Sequence, residues 1–277
     1  MSDPSSALLA DLVGQPVTGM RQLQGGDLSE VRLLTLADGS HRVAKLGSHA
    51  RAEAGMLEAM ARTGAPVPKV LEVRPLMLIL EHLPESHALP GAWGRLGRRL
   101  RAMHDAPAPE GAGYGWPEDY AFGPVPIPCG LPGEAPGTAT DWPRFWAEAR
   151  LLQGIETLPM PLARRIEALA QRLPDMLPAA PRPSLLHGDL WAGNLLFGPS
   201  GNVHLIDPAC ARGDAEVDLA MLHLFGQPGP GFTANYGSLP PGWGTRRVIY
   251  QLWPALVHLR LFGPSYRTLV EDLLDRL

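Results

Sequence analysis

The amino-acid sequence predicts an α+β fold in two parts: a small, mostly antiparallel β-sheet with one helix inserted, then a larger and mainly helical part. Two patterns carry this expectation. Short apolar runs punctuated by glycine turns fill the first 83 residues, whereas helical spacing dominates from Trp93 onward. The join falls near Glu81–Pro84, which divides the chain into an N-terminal part, 1–83, and a C-terminal part, 84–277.

In chain order, Ser5 to Val13 is spaced as a short helix, with Ser5 or Ser6 as its N-cap. The stretch QLQGGDLSEVRLLTLADGSHRVAKL then reads as strand, glycine turn, strand, turn, strand, with Asp38-Gly39 as the hairpin turn and Val43 to Leu46 as the return strand. In SHARAEAGMLEAMARTG, Ala54, Leu57, Met60 and Ala61 fall on one helical face, and Gly64 stops the helix. VPKVLEVRPLMLILEHLP supplies two more strands, the second of them, Leu76 to Leu80, wholly apolar. Trp93 to His104 is helical. The segment Ala106 to Thr140 is dense in proline and glycine and carries three aromatics, Tyr114, Trp116 and Tyr120; a loop this long inside a domain is usually functional or mobile. Helical patterns return at Asp141–Leu152, Met160–Leu177 and Gly213–Gly226, and again through the last forty residues.

Composition sets bounds. A chain of 277 residues with 45% apolar and 19% charged residues is globular and long enough for two lobes around a cleft. A net charge of −4 lacks the basic field that nonspecific nucleic-acid binding needs, so no nucleic-acid partner is expected. Cys129 and Cys210 form no CxxC pair, which fits reduced thiols in a cytoplasmic protein. No basic leader and no long apolar run is present, so neither export nor a membrane partner is expected. Among 24 basic residues only Lys45 and Lys69 are lysines, so each lysine is a rare choice whose position asks for a reason.

The run LLHGDLWAGNLLF, Leu185 to Phe197, sets an acid and an amide five positions apart inside an apolar frame. Three other features join it: Gly25-Gly26-Asp27 in a turn between strands, Lys45 on a later strand, and Asp207 directly after a short apolar strand in LIDPA. Together they suit phosphoryl transfer from a nucleoside triphosphate. Glycines let backbone N–H groups approach phosphate oxygens. Lysine supplies a point charge to phosphate. Magnesium prefers oxygen ligands, which Asn194 and Asp207 offer. Asp189 then faces the acceptor hydroxyl and accepts its proton. No GxxxxGK or GxSxG occurs, which excludes a Walker-type NTPase and leaves a serine hydrolase unsupported.

HGDLWAGN and LIDPACARGDAEVDLAMLHLFG, with QLQGGDLSEV, VAKL, GYGWPEDYAFGPVPIP and IYQLWPALVHLRLFG, resemble the fructosamine/ketosamine 3-kinase family, relatives of the aminoglycoside phosphotransferases. The resemblance covers most of the chain. It implies a bilobal protein-kinase-like fold, with DPA standing where protein kinases have DFG. It also implies roles: Asp189 as catalytic base, Asn194 and Asp207 as magnesium ligands, and Lys45 on the α- and β-phosphates with Glu53 as its ion-pair partner. Gly25 and Gly26 would border the phosphates of ATP, and the backbone of Glu81, His82 and Leu83 would meet adenine. Trp191 with Tyr114, Trp116 and Tyr120 would form the sugar-amine pocket. The family phosphorylates O3 of ketosamines, free or on glycated protein, and the unstable product sheds the sugar. A monomer is expected.

Two departures stand out. Only seven residues separate Lys45 from Glu53, and the glycine turn has no third glycine. The rival readings are another small-molecule kinase, acting on an aminoglycoside or choline, and an inactive nucleotide-binding relative. Retention of Lys45, Asp189, Asn194 and Asp207 together speaks against the second. His187 and Asp218 read as braces of the catalytic loop, Cys210 as a small buried residue, and Arg95, Arg98, Arg99 and Arg101 as a solvated helix face.

Overall fold

A computed structural model describes residues 6–23 and 30–277; the predicted phosphate turn at Gly25 and Gly26 lies outside these residues. Helix α1 (Ser6–Val13) leads into β1 (Val17–Gln22), β2 (Glu30–Leu36) and β3 (His41–Leu46). Helix α2 (Ala50–Arg62), β4 (Val70–Arg74) and β5 (Met77–Glu81) follow. The five strands form one antiparallel sheet in the order β1-β2-β3-β5-β4. Period-2 alternation sends Leu34, Leu36, Ala44, Leu46, Met77 and Ile79 toward Leu9 of α1. Leu78 and Leu80 face Ala50, Ala54 and Leu57 of α2 on the other side. With both faces covered, β5 can be apolar from Met77 to Leu80, which is why its sequence shows no alternation there. Lys69 stands exposed just before β4.

The rest of the chain is mainly helical. Helix α3 (Ala92–Asp105) precedes a hairpin of β6 (Tyr120–Phe122) and β7 (Val125–Ile127), then α4 (Trp142–Trp146) and α5 (Met160–Met176). Two short ladders pair β8 (Ser184–Leu186) with β11 (Ala211–Gly213), and β9 (Leu195–Phe197) with β10 (Val203–Leu205). Helices α6 (Glu216–Leu222), α7 (Phe232–Tyr236), α8 (Trp243–Phe262) and α9 (Arg267–Leu274) complete the chain. The central helix α8 is buried from Val248 to Val257, against Trp142, Phe145 and Trp146 on one side and Val270 and Leu273 on another. A second core runs across the join: Met56 and Met60 of α2 pack with Leu96, Leu100, Leu190 and Leu205. The sheet-bearing part is thereby seated on the helical part through a shared apolar layer.

Three segments differ from expectation. The proline- and glycine-rich segment is tied down: Tyr114 bridges to Ala139 and Gly115 to Arg212, and β6 and β7 form within it. The helix expected from Asp141 begins as expected, with the Asp141 carboxylate accepting the Arg144 N–H at 3.0 Å, but its second half, Ala147–Leu151, is wound as a wider π-type turn. The helix expected over 213–226 shrinks to α6. Pairing of β11 with β8 holds its first residue in a strand, and Asp214 Oδ1 takes the Glu216 N–H at 3.0 Å. Among the described residues no helix is long and apolar enough to cross a membrane.

Candidate active site

The loop between β8 and β9 is fixed from beneath. Asp218 on α6 accepts the backbone N–H groups of His187 at 2.7 Å and Gly188 at 2.9 Å, and faces His104 Nε2 at 3.1 Å. His104 in turn meets the Tyr236 hydroxyl at 2.8 Å through Nδ1. Burial works against the Asp218 charge, but His104 and the loop N–H groups outweigh it and hold the carboxyl below its ordinary value. Gly188 has φ of +82°, and a Cβ there would lie 1.8 Å from the Ala209 oxygen, so only glycine fits. The buried His187 ring reaches the Ile206 carbonyl at 2.9 Å, joining the loop to the segment that carries Asp207. Asp218→Ala is expected to lower stability by about 3–5 kcal/mol, because it strips a buried charge-assisted network of its acceptor. Urea unfolding measures this, and a loss below about 1 kcal/mol would show that the loop holds its own shape.

On that base the candidate residues converge. The Asn194 amide donates to the Asp189 carbonyl at 2.8 Å and to Asp189 Oδ2 at 3.0 Å. Burial pushes the Asp189 carboxyl up to about 7, against the lowering effect of that bond. Asp207, which follows β10 after Ile206, has φ of +55° and is the only non-glycine residue with positive φ among those described. Such a backbone is strained for an L-residue and is usually kept where a side chain must be aimed. Lys45 Nζ bonds Glu53 Oε1 at 2.8 Å and Asp207 Oδ1 at 2.9 Å. The short spacing to Glu53 is thus sufficient: Lys45 is the penultimate residue of β3, and Glu53 lies in the first turn of α2. Burial alone would depress the Lys45 ammonium, but Glu53 and Asp207 together hold it above its ordinary value. Burial raises the Glu53 carboxyl; Lys45 opposes this only in part, since the ammonium is shared and the Asp207 charge repels Glu53.

The donor set fits magnesium. Asn194 spends its N–H groups on Asp189, which leaves its amide oxygen available, and Asp207 spends only Oδ1 on Lys45. Among the described residues no group of three or more His, Cys, Asp or Glu side chains could hold a metal alone. An ion at Asn194 and Asp207 would therefore complete its shell with phosphate oxygens and water, as magnesium does in nucleotide sites.

All of these groups line one cleft of about 980 Å³, between the sheet and the helical part. Lys45, Glu53, Asp189, Asn194 and Asp207 border it at the centre, Glu30 and Glu85 are also on its wall, and Trp191, Tyr120 and the inner face of α8 border the rest.

A family model described as fructosamine kinase matches residues 1–277, the whole chain. The chain belongs to the fructosamine kinase family. A Synechocystis protein named "Probable ketoamine kinase" is 32% identical over 97% of this chain and 94% of its own length. A rice (Oryza sativa subsp. indica) protein named "Protein-ribulosamine 3-kinase, chloroplastic" is 30% identical over 94% of this chain and 78% of its own length. A Thermobifida fusca crystal structure carrying the provisional name fructosamine-3-kinase superposes with a TM-score of 0.84 at 31% identity, covering 98% of this chain and 96% of that one. A choline/ethanolamine kinase family protein from Mesorhizobium loti, at 19% identity and a TM-score of 0.60, shares the fold. The architecture is the bilobal protein-kinase-like one that the sequence predicts.

Within this fructosamine kinase family member, two residues expected in the sugar-amine pocket stand elsewhere. Tyr114 and Trp116 are 5% and 8% exposed. Tyr114 packs on Trp142 with ring centroids 5.0 Å apart and donates its hydroxyl to the Pro181 carbonyl at 2.8 Å. Trp116 lies in the core that crosses the join, with Cys129 and Leu185. The bridges to Ala139 and Arg212 turn both side chains inward, and only Tyr120, on the β6–β7 hairpin, reaches the cleft, edge-on to His49 at 5.0 Å. Glu81 closes β5, and His82 and Leu83 follow it toward Glu85, which borders the cleft. Glu81 is occupied at the strand end, donating its N–H to the Lys69 carbonyl at 2.9 Å, and the His82 ring packs against His41 at 5.4 Å. Sequence reasoning missed Phe225, Trp253, His258, Phe262 and Tyr266, all on the cleft wall. The i,i+4 spacing of His258 and Phe262 was the available signal.

Proposed function

We propose that this protein transfers the γ-phosphoryl group of ATP to O3 of a ketosamine, the activating step of deglycation. The observation that carries the reading is the meeting of Asp189, Asn194, Asp207 and Lys45 in one cleft whose acceptor side is walled by aromatic rings. Asp189 orients the sugar hydroxyl and accepts its proton. A carboxyl held at about 7 by burial is well matched to that transfer near neutrality. The Asn194 amide fixes the orientation of Asp189. Lys45, kept charged by two carboxylates, offers its ammonium to the phosphates. Asn194 and Asp207 would hold magnesium, which supplies charge neutralisation at the phosphate oxygens. Phosphate on O3 is a far better leaving group than hydroxide: β-elimination across C3 releases inorganic phosphate, and water then hydrolyses the resulting unsaturated adduct to a 3-deoxy-dicarbonyl sugar and the free amine.

An aminoglycoside substrate would need acidic side chains around its several ammonium groups. The residues that α8 and the segment after it give to the cleft include none. ATP consumption should therefore be stimulated by fructoselysine and ribuloselysine and stay at the buffer level with an aminoglycoside or choline. Turnover confined to the last two would overturn the reading.

A further inference from the structure

Past Asp189 the cleft continues into a trough built from rings. Trp191 meets Phe225 edge-on at 6.3 Å between centroids, Phe225 meets His258 at 4.8 Å, and His258 meets Phe262 at 5.5 Å and Tyr266 at 5.1 Å. All five border the same cavity as Asp189. Trp191, Phe225 and Phe262 are 39%, 42% and 42% exposed. Folding alone gives no reason to leave three neighbouring aromatic side chains open to water in one place. The Trp191 ring also has a prepared seat. A Cβ at Gly193 would lie 2.3 Å from it, so the ring lies directly over the glycine backbone. No Asp, Glu, Lys or Arg borders the cavity in the stretch of chain from Trp253 to Tyr266.

We infer that this trough receives the amine half of the acceptor and selects amines that carry an aromatic or bulky apolar substituent. The inference rests on the ketosamine reading above. With O3 at Asp189, the part of a ketosamine left to occupy the trough is the nitrogen and its substituent. Ring faces attract the secondary ammonium and stack on an apolar group attached to it. Phe225 and Phe262 offer nothing to a carboxylate or a hydroxyl, and the polar atoms of the wall are confined to the Trp191 N–H, the His258 imidazole and the Tyr266 hydroxyl, so a polar substituent gives up more water than these rings replace. Small free adducts of aromatic or apolar amines are thus the fitting substrates, ahead of adducts with short polar amines.

The test compares kcat/KM for three fructosamines made from benzylamine, ethanolamine and glycine. The benzylamine adduct should exceed the other two by about tenfold or more, mainly through a lower KM. In a Phe225→Ala/Phe262→Ala double variant, that ratio should fall to within about threefold, with a thermal melt confirming the fold. Equal turnover of the three adducts by the unmodified protein, or a preference for the polar ones, overturns the inference and leaves the ketosamine reading in place. That comparison needs no variant. An undiminished benzyl preference in a folded double variant also overturns it. Failure to turn over any of the three overturns the ketosamine reading, and the inference with it.

Discussion

Asp189→Ala is expected to reduce phosphoryl transfer by about 10²–10⁴-fold while nucleotide binding survives. The separation follows from how the loop is held. The anchors that shape it are the His187 and Gly188 N–H groups on Asp218 and the His187 ring on Ile206, none of which uses the Asp189 side chain. The Asn194 amide loses one partner, Asp189 Oδ2, but keeps the Asp189 backbone carbonyl at 2.8 Å and so keeps its place. Steady-state turnover of a ketosamine, alongside equilibrium ATP binding, measures the two effects separately. A rate within about tenfold of the unmodified protein would remove Asp189 from the role of base.

Asp207→Ala is expected to act on the other side of the reaction, weakening magnesium-dependent ATP binding on the order of 100-fold. Two losses add. The proposed metal site loses its carboxylate, keeping only the Asn194 oxygen. Lys45 loses the partner at 2.9 Å that ties it to the cleft floor and swings wholly to Glu53. A magnesium titration of ATP affinity measures the change, and an affinity that keeps its magnesium dependence would exclude Asp207 as a ligand. Together the two variants divide the cleft into an acceptor-activating half and a nucleotide-holding half.

Legibility in the sequence followed the range of the interactions. HGDLWAGN and LIDPA are short, and their chemistry lies in local spacing, so Asp189, Asn194 and Asp207 stand out in the sequence itself. The meeting of Lys45 with Asp207 is a contact between distant segments; motif order pointed to it, whereas no local pattern could. Tyr114 and Trp116 show the opposite case. They sit in the same stretch as Tyr120, but bridges to Ala139 and Arg212 decide which way each faces. Those partners are remote in sequence, so an aromatic-rich loop looked like a pocket where two of its three rings are core. The ring wall on α8 was hidden for a related reason. Spacing puts His258 and Phe262 on one helical face, but says nothing about whether that face meets core or cleft. Within the sheet the β2–β3 hairpin was the most legible part, because the Asp38-Gly39 turn fixes its register locally.

The placement of the two lysines has a chemical consequence. Lys45 is closed into a double ion pair, which leaves Lys69 as the one lysine ammonium standing free of the interior. Unprotonated amines attack the carbonyl of reducing sugars, and arginine, the residue this chain uses almost everywhere else for positive charge, reacts by a different route. A protein whose proposed task is to lift sugars from amines therefore offers sugars very few lysine amines of its own.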